Sequence, residues 1–226
     1  DFSRIPLSEN PLIALFDRPS NHGNLGTILR SCDALGVEGL ILTGHGVDLY
    51  DPDVVSSTMG SFFCVPAVRM SDNDSVFALI DGLKARYPGF QVVGTTAHHE
   101  KTLSEVDFTK PTMLLIGNET EGLRRIYKER SDVLATIPMN PRGSASSFNV
   151  ACAATVMFYE VVRQRAAAAT CRGEVAGGAW LARAPSGKRN QLCGRGGGML
   201  PASCSRKLPA YLRLSKHLMQ TVDFLF

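Results

Sequence analysis

The stretch "NHGNLGTILR", residues 21–30, sets an amide, a glycine and a guanidinium at close spacing: Asn24, Gly26 and Arg30. It follows an apolar run of strand type and opens a segment of helical period, so these three residues fall at the rim of a sheet. Arg30 lies about one helical turn beyond Gly26 and shares its face. An arginine on an otherwise apolar helix requires a partner, and a guanidinium fork matches a carboxylate or an RNA phosphate. Asn24 is expected to cap the helix, and Gly26 to admit another chain or a ligand closely. A helix cap plus a surface arginine is the plain alternative.

Two later stretches have the same character. "LLIGNETEGL", residues 114–123, runs a buried strand into Gly117-Asn118-Glu119, and Gly122 closes the turn. Such a loop exposes backbone donors and acceptors at the carboxyl edge of a sheet, where open α/β folds bind ligands. It has neither the GxGxxG spacing of a dinucleotide fold nor the lysine of a phosphate loop. "TIPMNPRGSASSFNV", residues 136–150, ends another strand at Ile137-Pro138-Met139 and brings Ser146, Ser147 and Asn149 to the start of a long helix. Serine and asparagine there cap the helix, or point a hydroxyl, an amide and free backbone donors into a pocket.

The elements that carry these residues are legible as alternating runs. Strand-length apolar segments occur at 12–17, 39–44, 63–68, 90–96, 112–118 and 133–139, most without polar alternation, as in strands covered on both faces. Helical patterns lie between them at "NLGTILRSCDALG", "DSVFALIDGLKARYP" and "SFNVACAATVMFYEVVRQR". The alternation predicts an α/β fold, a mostly parallel sheet with helices on both faces. Residues 1–169 form the expected domain. Residues 170–226, with eight glycines between Gly173 and Gly198, read as a flexible or weakly structured basic tail.

Composition limits the function classes. The 226 residues carry a net charge of +3, but residues 166–226 hold nine Lys/Arg against two Asp/Glu, leaving the body with fifteen against nineteen. RNA binding by the body must therefore rest on local clusters. No run approaches the roughly 20 apolar residues needed to span a bilayer, and no secretion signal is evident, so a cytoplasmic protein is expected. The six cysteines lack metal-ligand spacing, which points to reduced thiols and no metal. His98 and His99 have no partners at ligand spacing.

Taken together, Asn24-x-Gly26-x-x-x-Arg30, then Leu115-Ile116-Gly117-Asn118-Glu119-x-x-Gly122-Leu123, then Ile137-Pro138-Met139 with Ser147-Phe148-Asn149-Val150, resemble the SpoU (TrmH-like) family of S-adenosylmethionine-dependent RNA ribose 2′-O-methyltransferases, of the SPOUT class. The likeness covers about residues 10–165. Ser-Phe-Asn stands where the family usually has Ser-Leu-Asn. Many relatives also carry an N-terminal RNA-binding domain, whereas this chain starts almost at its first strand.

The resemblance implies a deep C-terminal trefoil knot, a homodimer and methyl transfer to tRNA or rRNA without a metal. It implies a cofactor site at Leu115, Gly117, Asn118, Gly122, Ile137, Met139, Ser147 and Asn149. Arg30 is the implied catalytic cation, with Asn24, Glu119, Ser147 and Asn149 orienting it and the ribose. Arg30, Arg124, Arg125, Lys128 and Arg142 are the expected RNA contacts. The first helix and the 147–165 helix are the expected dimer interface. A noncatalytic RNA-binding or assembly factor of the same fold is the alternative.

Overall fold

In the computed structural model, residues 2–96, 101–145 and 147–171 are described. His98, His99, Ser146 and the segment from 172 onward lie outside them, and with it nearly all of the expected tail.

Seven strands form one sheet in the order β3-β2-β1-β6-β4-β7-β5, where β1 is Leu12–Phe16, β2 Gly39–Thr43, β3 Ala67–Met70, β4 Gln91–Thr95, β5 Lys101–Thr102, β6 Thr112–Ile116 and β7 Val133–Thr136. Every pairing is parallel. The central strands β1, β2 and β6 are buried at all five positions, as uninterrupted apolar runs should be when helices cover both faces. One face is covered by α1 (His22–Ala34), α2 (Pro52–Ser57) and α5 (Val150–Cys171), through Leu25, Ile28, Val54, Met157 and Phe158. The other is covered by α3 (Asn73–Arg86) and α4 (Arg125–Glu129), through Val76, Ile80, Leu83 and Tyr127.

The run 63–68 is not a strand as expected. Residues Ser61–Phe63 form a 3-10 turn with Phe63 83% exposed, and pairing begins only at Ala67, after Pro66. Proline has no amide to give to a ladder, so the strand starts beyond it. The two-residue β5 has no signal in the sequence at all.

Three devices fix the helices that frame the sheet's carboxyl edge. Asn21, not Asn24, caps α1 and accepts the Asn24 amide at 2.9 Å. At Gly26 a Cβ would overlap the Ser57 side chain and the Val54 carbonyl, so this glycine lets α1 and α2 touch, and no ligand is needed to explain it. At the far end of α5, Arg165 donates to the carbonyls of Asn10 at 2.8 Å, Lys110 at 2.9 Å and Phe108 at 3.1 Å. Burial pushes its guanidinium down to about 10, so it remains charged at neutral pH and ties α5 to the loops entering β1 and β6.

Candidate functional site

At the carboxyl ends of β4, β6 and β7 lies a crevice of about 380 Å³, within the range of small-molecule sites. Its apolar wall is Ile116, Ala135, Ile137, Met139, Ala153 and Met157; its polar side carries Thr95, Thr96, Asn118, Glu119, Thr120 and Lys128. Gly117, Gly122 and Ser147 also line it as expected, whereas Asn149 does not. Leu115 does not line it. Side chains alternate along a strand, so Leu115 falls on the opposite face of β6, packed with Ile13, Val92 and Tyr127, while its neighbour Ile116 reaches the crevice.

The loop that forms the mouth is a tight turn. Asn118 and Gly122 exchange both backbone hydrogen bonds at 3.0 Å, and Gly122 has φ 69°. A Cβ on Gly117 would overlap the backbone of Gly122 and Leu123, so the turn itself requires glycine at both positions. The Asn118 carboxamide oxygen accepts the Thr120 and Glu121 amides, and its Nδ2 donates to the Arg18 carbonyl at 2.7 Å.

One hydrogen-bonded chain joins all three sequence segments. Glu119 accepts from the Ser20 hydroxyl at 2.7 Å, the Ser20 amide at 3.1 Å and the Asn24 Nδ2 at 3.3 Å. Asn24 Oδ1 in turn accepts from Asn149 Nδ2 at 3.0 Å. Asn149 also accepts the Ala151 amide at 2.9 Å, which caps α5, so the capping and bridging roles are held by one side chain.

Arg30 stands apart from this chain. It is exposed on the α1 stripe of Gly23, Thr27, Arg30 and Ala34, does not line the crevice, and has no hydrogen bond or ion pair among the described residues. The sequence asked for a partner, and the described residues supply none.

The cations after the second segment separate. Arg124 turns inward: its Nε donates to Asp17 at 2.9 Å, and its guanidinium lies 4.8 Å over the Tyr127 ring. Its guanidinium is thus engaged by a carboxylate of this chain. Arg125 is exposed and pairs with Glu129 at 2.6 Å, one turn along α4. Arg142 is exposed in its loop. Lys128 lines the crevice.

Asp17 and Arg18 were missed by motif reading. Asp17 is fully buried at the end of β1 and accepts the Thr43 hydroxyl at 2.7 Å besides Arg124. Arg18 has φ 51°, an uncommon backbone for a non-glycine residue, and pairs with Glu121 at 2.5 Å. Together they grip both ends of the 118–124 turn. The signal was there: a carboxylate closing the buried run "LIALFD" must find a partner, because an unpaired buried charge is very costly.

Among the described residues, no group of three or more His, Cys, Asp or Glu could hold a metal ion, and no helix is long and apolar enough to cross a membrane. Cys32, Cys64, Cys152 and Cys171 are unpaired thiols.

Comparison with known proteins identifies the family. The profile of the SpoU rRNA Methylase family matches residues 11–159. A 23S rRNA (uridine(2479)-2′-O)-methyltransferase of Streptomyces viridochromogenes is 48% identical over 165 residues, covering 73% of this chain and 57% of that one. The crystal structure of the SpoU methyltransferase AviRb from the same organism, in complex with the cofactor AdoMet, superposes with a TM-score of 0.70 at 47% identity, covering 74% of this chain and 65% of that chain. An AdoMet-bound rRNA methyltransferase from Sinorhizobium meliloti gives a TM-score of 0.60 at 36% identity, over 69% of this chain and 57% of that chain. The chain thus spans less than two thirds of these relatives.

Proposed function

The chain belongs to the SpoU rRNA methylase family, and from that premise we propose that it transfers a methyl group from S-adenosylmethionine to a ribose 2′-hydroxyl of rRNA or tRNA. The observation that carries this reading is the hydrogen-bonded chain Glu119–Asn24–Asn149 at the mouth of the crevice, which holds three distant segments in one constellation. The residues present fit the methyl donor. Ile137, Met139 and Met157 offer an adenine and a thioether apolar, polarisable contacts, and the turn at 117–122 offers backbone groups to a ribose. When bound, the donor supplies a methyl group already activated by its sulfonium.

The chain's own part is alignment. A carbon–oxygen bond forms at the methyl group as the carbon–sulfur bond breaks, and holding oxygen, carbon and sulfur in line supplies much of the acceleration. Glu119, Asn24, Asn149 and Ser147 orient the ribose. The hydroxyl proton leaves to water or to a phosphate oxygen. A guanidinium is too weak an acid to act as the base here, so Arg30 serves as a fixed positive charge that holds the adjacent phosphate and stabilises developing alkoxide character. Because Arg30 is exposed and outside its own crevice, it acts at the site of a second copy. Its α1 stripe and the exposed Phe148, Val156 and Tyr159 are the surfaces proposed to meet in a homodimer. The exposed Arg125 and Arg142 are the cations proposed to meet RNA phosphates, and Lys128 lines the crevice.

The test is mass spectrometry of nucleosides from rRNA and tRNA incubated with the chain and the methyl donor. One new 2′-O-methyl nucleotide is expected; methylation on a base instead, or none, overturns the reading.

A further inference from the structure

Four cations follow the glycine turn, and the structure commits three of them to carboxylates: Arg124 to Asp17 at 2.9 Å, Arg125 to Glu129 at 2.6 Å and Arg130 to Asp81 at 3.4 Å. Lys128 is the exception among the described residues. It is half-buried, lines the same crevice as Thr95, Thr96 and Thr136, and has no carboxylate or hydrogen-bond partner for its ammonium among the described residues. The two carboxylates on the same crevice are already engaged. Glu121 pairs with Arg18 at 2.5 Å, and Glu119 accepts from Ser20 and Asn24. A partly desolvated cation left over at a pocket wall calls for an anion from the ligand.

We propose that Lys128 is the subsite for the carboxylate at the methionine end of S-adenosylmethionine. This assignment rests on the methyl-donor reading above. The donor has one anionic group, that carboxylate, and two cationic ones, the sulfonium and the α-ammonium. Lysine repels the latter and attracts the former, so it sets which way the tail runs across the crevice. An RNA phosphate could claim the same ammonium, and the experiment separates the two.

Calorimetry on the full chain compares S-adenosylmethionine with its decarboxylated analogue, which keeps the sulfonium and the ammonium and lacks only the carboxylate. The wild type is expected to prefer the intact donor by roughly ten-fold, the size of one charge-assisted hydrogen bond. Lys128→Gln should bind the intact donor more weakly and the decarboxylated compound at least as tightly as the wild type does, so that the preference disappears; the second value also reports that the crevice is intact. Lys128→Arg should keep most of the preference. An undiminished preference in Lys128→Gln overturns the subsite, and if that variant also binds RNA more weakly the ammonium belongs to a phosphate. Failure of the wild type to bind either compound overturns the methyl-donor reading itself, and this subsite with it.

Discussion

The Asn149 Nδ2 donates to the Asn24 Oδ1 at 3.0 Å across 125 residues of chain. Asn24 uses its own amide on Glu119, so one side chain passes orientation from the start of α5 to the glycine turn. Asn24→Ala breaks both contacts while leaving the Asn21 cap, which uses the Asn24 backbone amide. Turnover should fall by roughly 10- to 100-fold, the size of a hydrogen bond to a charged group, with cofactor affinity changed by less than about three-fold. Steady-state kinetics beside calorimetry separates the two effects.

Arg30→Ala removes an exposed side chain that has no hydrogen bond or ion pair among the described residues. The melting temperature should therefore stay within about one degree, since surface changes away from special features are nearly neutral. Methyl transfer should fall by about 100-fold or more, as when a transition-state donor is lost. Binding of S-adenosylhomocysteine should be unaffected; a comparable loss of affinity would make Arg30 a structural residue. Mixing Arg30→Ala with a variant defective in the crevice should restore activity to heterodimers if the guanidinium works across the interface.

Asp17→Asn leaves the Arg124 guanidinium half-buried against a neutral amide. Removing one partner of a buried pair costs about 3 kcal/mol or more, and urea unfolding should show it. The same change loosens the 118–124 turn, so affinity for S-adenosylhomocysteine should fall as well. Leu83→Ala, a destabilising control on the far face under α3, should leave that affinity in place.

The sheet was legible because its centre is apolar on both faces; strands β1, β2 and β6 and helices α1, α3 and α5 fall where hydrophobic runs and periods put them. What was not legible depends on partners distant in sequence. Nothing in "GLRRIYKER" distinguishes Arg124 from Arg125, since the carboxylate that draws Arg124 inward is Asp17, 107 positions earlier. Leu115 and Ile116 are equally apolar, and only strand register decides which one meets the crevice. Asn24 and Asn21 are both plausible caps three residues apart, so the true helix start at His22 was needed to assign the bridging role to Asn24.

Acid should weaken the α3 end of the fold through Asp72. Its carboxyl is held below its ordinary 3.8, first by the Ser75 hydroxyl and then by the Ser75 and Asp74 amides it caps. A depressed folded value means the contribution is fully present above the unfolded value and disappears as pH falls through the folded one. Unfolding midpoints in urea should thus drop below about pH 4, and Asp72→Asn, which still caps but cannot titrate, should flatten that part of the profile.

The most direct measurement is a crystal structure of the chain grown with saturating S-adenosylhomocysteine. The adenosine is expected against Ile137 and Met139, the ribose on the 117–122 turn and the thioether sulfur facing Glu119 and Ser147. A ligand bound elsewhere, or a crevice closed by its own apolar side chains with no ligand in it, would contradict the placement of the methyl donor on which the proposed reaction depends.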